Sequence, residues 1–239
     1  MAAMMNEHTA KAFDVDLQEL TRMVAEMGGL AEKQIADSID ALATRDAERA
    51  ARVVAIDPAI DALQREIEEK AVLTIARRQP MAVDLRAIVS ALRVANDLER
   101  VGDLAKNIGK RVTAISSDFH PQKLMRGVEH MAAMVLAQLK QVLDSYAAHD
   151  LEKALVVWKG DEEVDAMCTS LFRELLTYMM EDPRNITFCI HLMFCAKNIE
   201  RMGDHATNIA ETVYYMIEGR ALSDQRPKGD TLAALIAET

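Results

Sequence analysis

The chain has 239 residues, half of them hydrophobic but only 4% aromatic, with few Gly and Pro. Its 28 Lys and Arg against 38 Asp and Glu leave a net charge of -10, which argues against a broad nucleic-acid surface or an anionic membrane face and suits metal cations or a basic protein partner. Ala, Leu, Met, Glu and Arg are abundant and are strong helix formers, so composition predicts an all-α protein.

The first stretch, MAAMMNEHTAKAFD, carries Glu7 and Asp14 where a signal peptide would have its apolar core. No apolar run reaches the roughly 18 residues of a membrane span, so a cytoplasmic protein is expected. From Leu20 to Leu42 apolar residues recur at three and four, predicting a helix that Gly28 and Gly29 weaken or kink locally. Asp46 reads as the N-cap of a second helix reaching about Arg78. Within it Pro58, one residue after Asp57, either kinks the helix or marks a boundary. A third helix follows Gln79 and Pro80 and runs to about Ile115, before the loop SSDFHPQ. The plan then repeats, with helices at about 122 to 147, 151 to 180 and 184 to 218. A tail from Gly219 is expected to be ordered only in part.

The repetition is also written in identities. DLERVGDLAKNI at 97 to 108 returns as NIERMGDHATNI at 198 to 209, sharing Glu, Arg, Gly, Asp, Ala, Asn and Ile. Upstream, Asp40, Asp46, Glu48, Asp57 and Asp61 are answered by Asp144, Asp150, Glu152, Asp161 and Asp165 at an offset of 104, which falls to 101 after Pro80 and Pro183. A turn there would absorb the deletion. Residues 1–118 and 119–220 therefore read as two three-helix units, with 221–239 as a tail. Six long helices with short connections make antiparallel neighbours, hence two tandem pseudo-symmetric three-helix bundles. A helix of about 30 residues spans about 45 Å, so an elongated molecule is expected.

On a helical wheel the third helix has an apolar spine of Val94, Leu98, Val101, Ala105 and Ile108, opposite a polar stripe of Asn96, Glu99, Arg100, Asp103, Lys106 and Asn107. The last helix repeats this with Cys195, Ile199, Met202, Ala206 and Ile209 as spine and Lys197, Glu200, Arg201, Asp204, Thr207 and Asn208 as stripe. Glu99 with Asp103, and Glu200 with Asp204, place two carboxylates at i and i+4, about 6 Å apart at Cβ, where like charges cost a few tenths of a kcal/mol. Such a pair can share a hard or borderline cation, with Asn107 or Asn208 adding a carbonyl or a water contact. It can equally be a solvated face on which Arg100 and Lys106 pair with Asp103, or a partner-binding face. Gly102 and Gly203, costly in a helix interior, fit a place where another backbone or a bound cluster comes close.

Other candidates are weaker. His149-Asp150 reads as a cap, matching Arg45-Asp46. His205 is a possible extra ligand, although its counterpart is Leu104. Asp57/Asp61 and Asp161/Asp165 read as capping or solvated acids. Cys168, Cys189 and Cys195 read as buried thiols, the many Met as core, and Trp158 as packing. The chain has no Glu-x-x-His, phosphate loop, Cys-His pairing or Ser/His/Asp order, so no enzyme is expected.

HTAKAFD near the start, QPMAVDLR before the third helix and the doubled E-R-x-G-D resemble the PhoU family, over about residues 6 to 218. The resemblance implies a six-helix, two-bundle fold and a negative regulator of phosphate uptake and of phosphate-starvation signalling. As partners it implies the ATPase subunit of a phosphate ABC transporter, a membrane-bound sensor histidine kinase and a second copy in a homodimer, so that membrane contact comes only through partners. It also implies cations, such as iron, zinc or magnesium, held through E/D-x-x-x-D motifs that fall on Glu99 and Asp103 and on Glu200 and Asp204. Asp97, Asn107, Asn198 and Asn208 stand in a second tier, and Asn198 in place of Asp97 predicts unequal affinity at the two sites. The competing readings are a metal-dependent phosphohydrolase and a helical interaction protein without metal.

Overall fold

A computed structural model describes residues 2–115 and 122–223 of the chain. Among them are seven α-helices and no strand: α1 (Ala2–Thr44), α2 (Ala47–Arg78), α3 (Val83–Ala114), α4 (Gln122–Ala148), α5 (Leu151–Lys159), α6 (Asp161–Glu181) and α7 (Ile186–Glu218). A 3-10 turn, Pro183–Asn185, leads into α7. The all-α, six-long-helix plan holds, with α5 and α6 together taking the place of one long helix. The loop and unit boundary expected near 118, and the tail beyond 223, lie outside the described residues.

The caps are where the sequence put them. The Asp46 carboxylate accepts from the Arg49 N–H at 2.9 Å and that of Asp150 from the Lys153 N–H at 3.2 Å, each satisfying an orphan donor of the first turn. Arg45 and His149, just before them, both have left-handed φ, 56° and 54°.

One expectation about breaks is corrected, the unbroken helix over 151 to 180, while the other two weak points leave their helices continuous. Gly28 and Gly29 do not interrupt α1. Instead, a Cβ on Gly28 would come within 2.6 Å of Leu143 Cδ1, so this glycine lets α4 approach α1. Pro58 does not end α2, which is carried through it by Val53 and Ile60, buried on either side. The helix expected over 151 to 180 breaks at Gly160, whose N–H is shared between the Val156 and Val157 carbonyls. The chain restarts at once because Asp161, Glu162 and Glu163 put three acids in the first turn of α6, where the helix dipole favours them.

The two bundles share one core. Leu98, Val101 and Ile108 of α3 and Ile199, Met202 and Ile209 of α7 are fully buried in a single hydrophobic cluster that spans both halves. Each large apolar side chain so buried stabilises by about 1.5–3 kcal/mol. α3 packs on α7 about as extensively as on α2 of its own bundle. Arg93 of α3 lies over the Tyr215 ring at 4.8 Å and Arg111 over Phe194 at 4.1 Å, so α3 and α7 run antiparallel. α1 and α4 also meet antiparallel, through Gly28 with Leu143 and through the hydrogen bond of Tyr146 with Thr21. The halves thus lie side by side, related by an approximate twofold. No described helix is long and apolar enough to cross a membrane.

Candidate functional site

Both spines are buried as the wheel required, which turns the acidic stripes toward the middle helix of each bundle. In the first half Glu99 and Asp103 of α3 face Asp57 and Asp61 of α2, and all three of those other carboxylates act on Glu99. Burial first, and Asp103 next, push the Glu99 carboxyl above its ordinary value, with Asp61 and Asp57 adding and Arg100 opposing. Lys106 settles the charge of this cluster. Its Nζ lies 2.6 Å from Asp57 Oδ2 and also bonds Asp103 Oδ1, joining α3 to α2. Burial works against the ammonium charge, but the bonds to Asp103 and Asp57 outweigh it and hold Lys106 well above the ordinary lysine range. Arg100, more exposed, lies 3.5 Å from Glu99 and 3.8 Å from Asp103.

The second half repeats the acids and changes the tie. Glu200 and Asp204 of α7 face Asp165 of α6, and Thr207 takes the place of Lys106. The Thr207 side chain is fully buried, not part of an exposed stripe, and its hydroxyl lies 3.0 Å from Asp161 Oδ1. The Glu200 carboxyl is pushed up, first by burial, with the hydrogen bond from Lys197 opposing and Asp204 and Asp165 adding. Lys197 Nζ holds Glu200 Oε1 at 2.6 Å from a side chain that is 52% exposed. Oε2 is buried and has no hydrogen-bond partner among the described residues.

From sequence, Asp57/Asp61 and Asp161/Asp165 read as capping or solvated acids. Asp57 and Asp161 are in fact buried, and α2 and α6 bring these pairs against the E-x-x-x-D acids of the neighbouring helix. The available signal was that they repeat at i and i+4 in both copies. A further repeat pair, Gln34 and Gln138, went unread. Their amides donate to the Val53 and Gly160 carbonyls of the middle helices at 3.0 and 2.9 Å, fixing α1 and α4 beside the acids. The glycines answer to side chains and not to a backbone or a cluster. A Cβ on Gly102 would sit 3.0 Å from Ile60 Cδ1 and 3.1 Å from Gln34 Oε1, whereas at Gly203 the nearest atom is at 3.4 Å.

The second-tier residues divide differently from the expectation. Asp97, 8% exposed, has its Oδ1 2.8 Å from His205 Nδ1, where the carboxylate accepts from the Nδ1–H tautomer, and the same oxygen accepts from Asn208 Nδ2 at 3.4 Å. These three residues join α3 to α7. On the wheel His205 and Asn208 lie about 100° and 40° to one side of Asp204, and Glu200 about 40° to the other, so one flank of α7 meets α3 while the other meets α6. Asn107 is exposed and Asn198 half-buried. Trp158 is buried as expected and also donates to Glu211 Oε1 at 3.1 Å. The three cysteines are buried free thiols. Among the described residues no three His, Cys, Asp or Glu side chains converge as they stand on one point where they could hold an ion.

Comparison with known proteins agrees with the doubled architecture. A family model described as the PhoU domain matches twice, over residues 24–112 and 128–213. The phosphate-specific transport system accessory protein PhoU homolog of Rhizobium meliloti is 57% identical over 232 residues, covering 97% of this chain and 98% of its own. The homolog of the same name from Caulobacter vibrioides is 53% identical over 229 residues, covering 96% of this chain and 100% of its own. The crystal structure of PhoU from Pseudomonas aeruginosa superposes with a TM-score of 0.83 at 38% identity, over 87% of this chain and 100% of that one. The phosphate transport system regulatory protein PhoU from Streptococcus pneumoniae gives 0.82 at 27% identity, over 89% and 100%.

Proposed function

The chain belongs to the PhoU family, and on that premise we propose that it is a non-enzymatic accessory of phosphate-specific transport that restrains phosphate uptake and phosphate-starvation signalling when phosphate is plentiful. The observation that carries this reading is end-to-end similarity to accessory proteins of that transport system, with both E-R-x-G-D copies in place. In this reading the protein is a cytoplasmic adaptor, as a homodimer, between the ATPase subunit of a phosphate ABC transporter and a sensor histidine kinase. Its charge of -10 favours polar, salt-sensitive contacts with such partners, screened over about 8 Å at physiological ionic strength.

Metal cations are the proposed occupants of the acidic clusters. The second half fits one on chemistry: Glu200 and Asp204, with Asp165 facing them, are oxygen donors of the kind that iron, zinc or magnesium accept, and the buried Glu200 Oε2 has no hydrogen-bond partner among the described residues. A bound cation would supply the positive charge that these acids share and would link α7 to α6. Residues 1–118 and 119–220 then act as two units of one adaptor with a short tail after them.

Deletion of the gene tests the regulatory reading. Phosphate-starvation genes should switch on in phosphate-rich medium and return to silence when the wild-type chain is supplied. Normal repression in the deletion strain would contradict it.

A further inference from the structure

We propose that the Lys106 ammonium is a tethered cation that fills the first-half carboxylate cluster, so that this chain takes up divalent metal through its second half only. The proposal presupposes that the acidic pairs of the family are cation sites in this chain, and it departs from the cation in each half that the doubled motif implies.

The geometry of Lys106 carries the argument. Its side chain is 19% exposed and is held by two carboxylates from two helices, Asp57 Oδ2 at 2.6 Å and Asp103 Oδ1. A cation entering there would have to displace an ammonium that already bonds two of the donors it needs, or else place a second positive charge beside the first. Two like charges a few ångström apart with little solvent between them repel strongly. Metal and ammonium therefore exclude each other.

At the corresponding place the second half has Thr207, whose hydroxyl makes the equivalent link to Asp161 at 3.0 Å without bringing a charge. The lysine of that half, Lys197, stands elsewhere: it reaches Glu200 from a side chain that is 52% exposed. Only the Glu200 end of this pair is buried, and a lysine that stays largely in water is more readily exchanged for a stronger cation than one held between two helices. Arg100 and Arg201 occupy the same register and are both exposed, so they do not distinguish the halves. At the buried link between the two acid-bearing helices the asymmetry is Lys106 against Thr207.

The test uses the full chain stripped with chelator and titrated with Mn²⁺, a hard ion that prefers oxygen donors, with bound metal counted by calorimetry and by electron paramagnetic resonance. Wild-type binding is expected to disappear in the Glu200→Gln/Asp204→Asn double variant and to survive in Glu99→Gln/Asp103→Asn. Lys106→Thr, which copies the second half, and Lys106→Gln, a milder change, should each bind additional Mn²⁺ that persists when the second-half acids are neutralised. Circular dichroism identifies the variants that retain the fold, and the assignment of the wild-type site decides the matter if neither Lys106 variant does. Wild-type binding that depends on Glu99 and Asp103, or a folded Lys106 variant that gains nothing over a metal-loaded wild type, overturns the proposal alone. No Mn²⁺ on the wild type or on either Lys106 variant overturns the cation reading of these acids as well.

Discussion

The two halves of this molecule are built to one plan and finished differently. Each sets an E-x-x-x-D pair against a D-x-x-x-D pair on the middle helix, and each anchors that helix with a glutamine amide, Gln34 on Val53 and Gln138 on Gly160. The first half then closes its acids with Lys106, while the second uses Thr207 and leaves a Glu200 oxygen without a hydrogen-bond partner among the described residues. The second half alone carries the histidine that meets Asp97, where the first has Leu104. Doubling a sequence therefore preserves the frame that packing demands. It leaves the neutralisation of buried acids free to diverge, because an ammonium, a hydroxyl or a bound ion can each serve.

The shared core gives the strongest way to break this comparison. Leu98→Ala and Ile199→Ala, at matched and fully buried positions, should each cost about 2–5 kcal/mol in urea denaturation. Because the core is continuous, each variant should unfold in one transition. A half that melts alone would mean that the bundles are energetically separate.

A second test separates halves that look identical in sequence. A methyl group at Gly102 meets Ile60 and Gln34, both buried and the latter pinned to Val53, so Gly102→Ala should destabilise by about 1–3 kcal/mol through overpacking. At Gly203 the nearest atoms are at ordinary contact distance, and Gly203→Ala should instead gain up to about 1 kcal/mol of helix propensity. Thermal melts of the two variants that shift in the same direction would refute the asymmetry.

The interface between halves offers a third. His205→Leu copies Leu104 of the first half and removes the nearest partner of Asp97, which is 8% exposed. A loss of about 1–3 kcal/mol is expected, the cost of an unsatisfied buried group. Leu104→Ala, with no polar partner at stake, should be limited to its packing loss. Equal stability of the His205→Leu variant and the wild type would show that Asn208 alone satisfies Asp97.

The smallest effect concerns pH. Burial raises the Glu200 carboxyl above its ordinary 4.5, so the folded chain holds that proton more tightly than the unfolded chain. The stabilisation is complete below 4.5 and is lost as pH rises through the folded-state value. In chelator-treated protein Glu200→Gln should therefore raise Tm slightly near pH 7, with the gain shrinking to nothing near pH 4. A gain that persists in acid would place its origin outside this ionisation.

Helix positions, both aspartate caps and the doubled stripe were legible because they depend on local periodicity and on residue chemistry within a few positions. The break at Gly160 was not, since a glycine weakens a helix but the Gln138 bond and the acids that restart the chain decide whether it parts. The burial of Asp57 and Asp161 was hidden for a similar reason. Their spacing was visible, yet only the packing of α2 on α3 and of α6 on α7 turns a solvated pair into half of a cluster. Asp97 and Asn208 shared the same repeat as Glu200 and Asp204, and a wheel can show that they flank the stripe but not that a second helix lies against that flank.

Anomalous diffraction from crystals of the full chain grown with Mn²⁺ tests the central claim, the inequality of the two acidic clusters, most directly. Anomalous density is expected beside Glu200 and Asp204 and none beside Glu99 and Asp103, where the Lys106 ammonium should be seen between Asp57 and Asp103. Density of equal strength in both halves, with Lys106 swung away from its carboxylates, would contradict it.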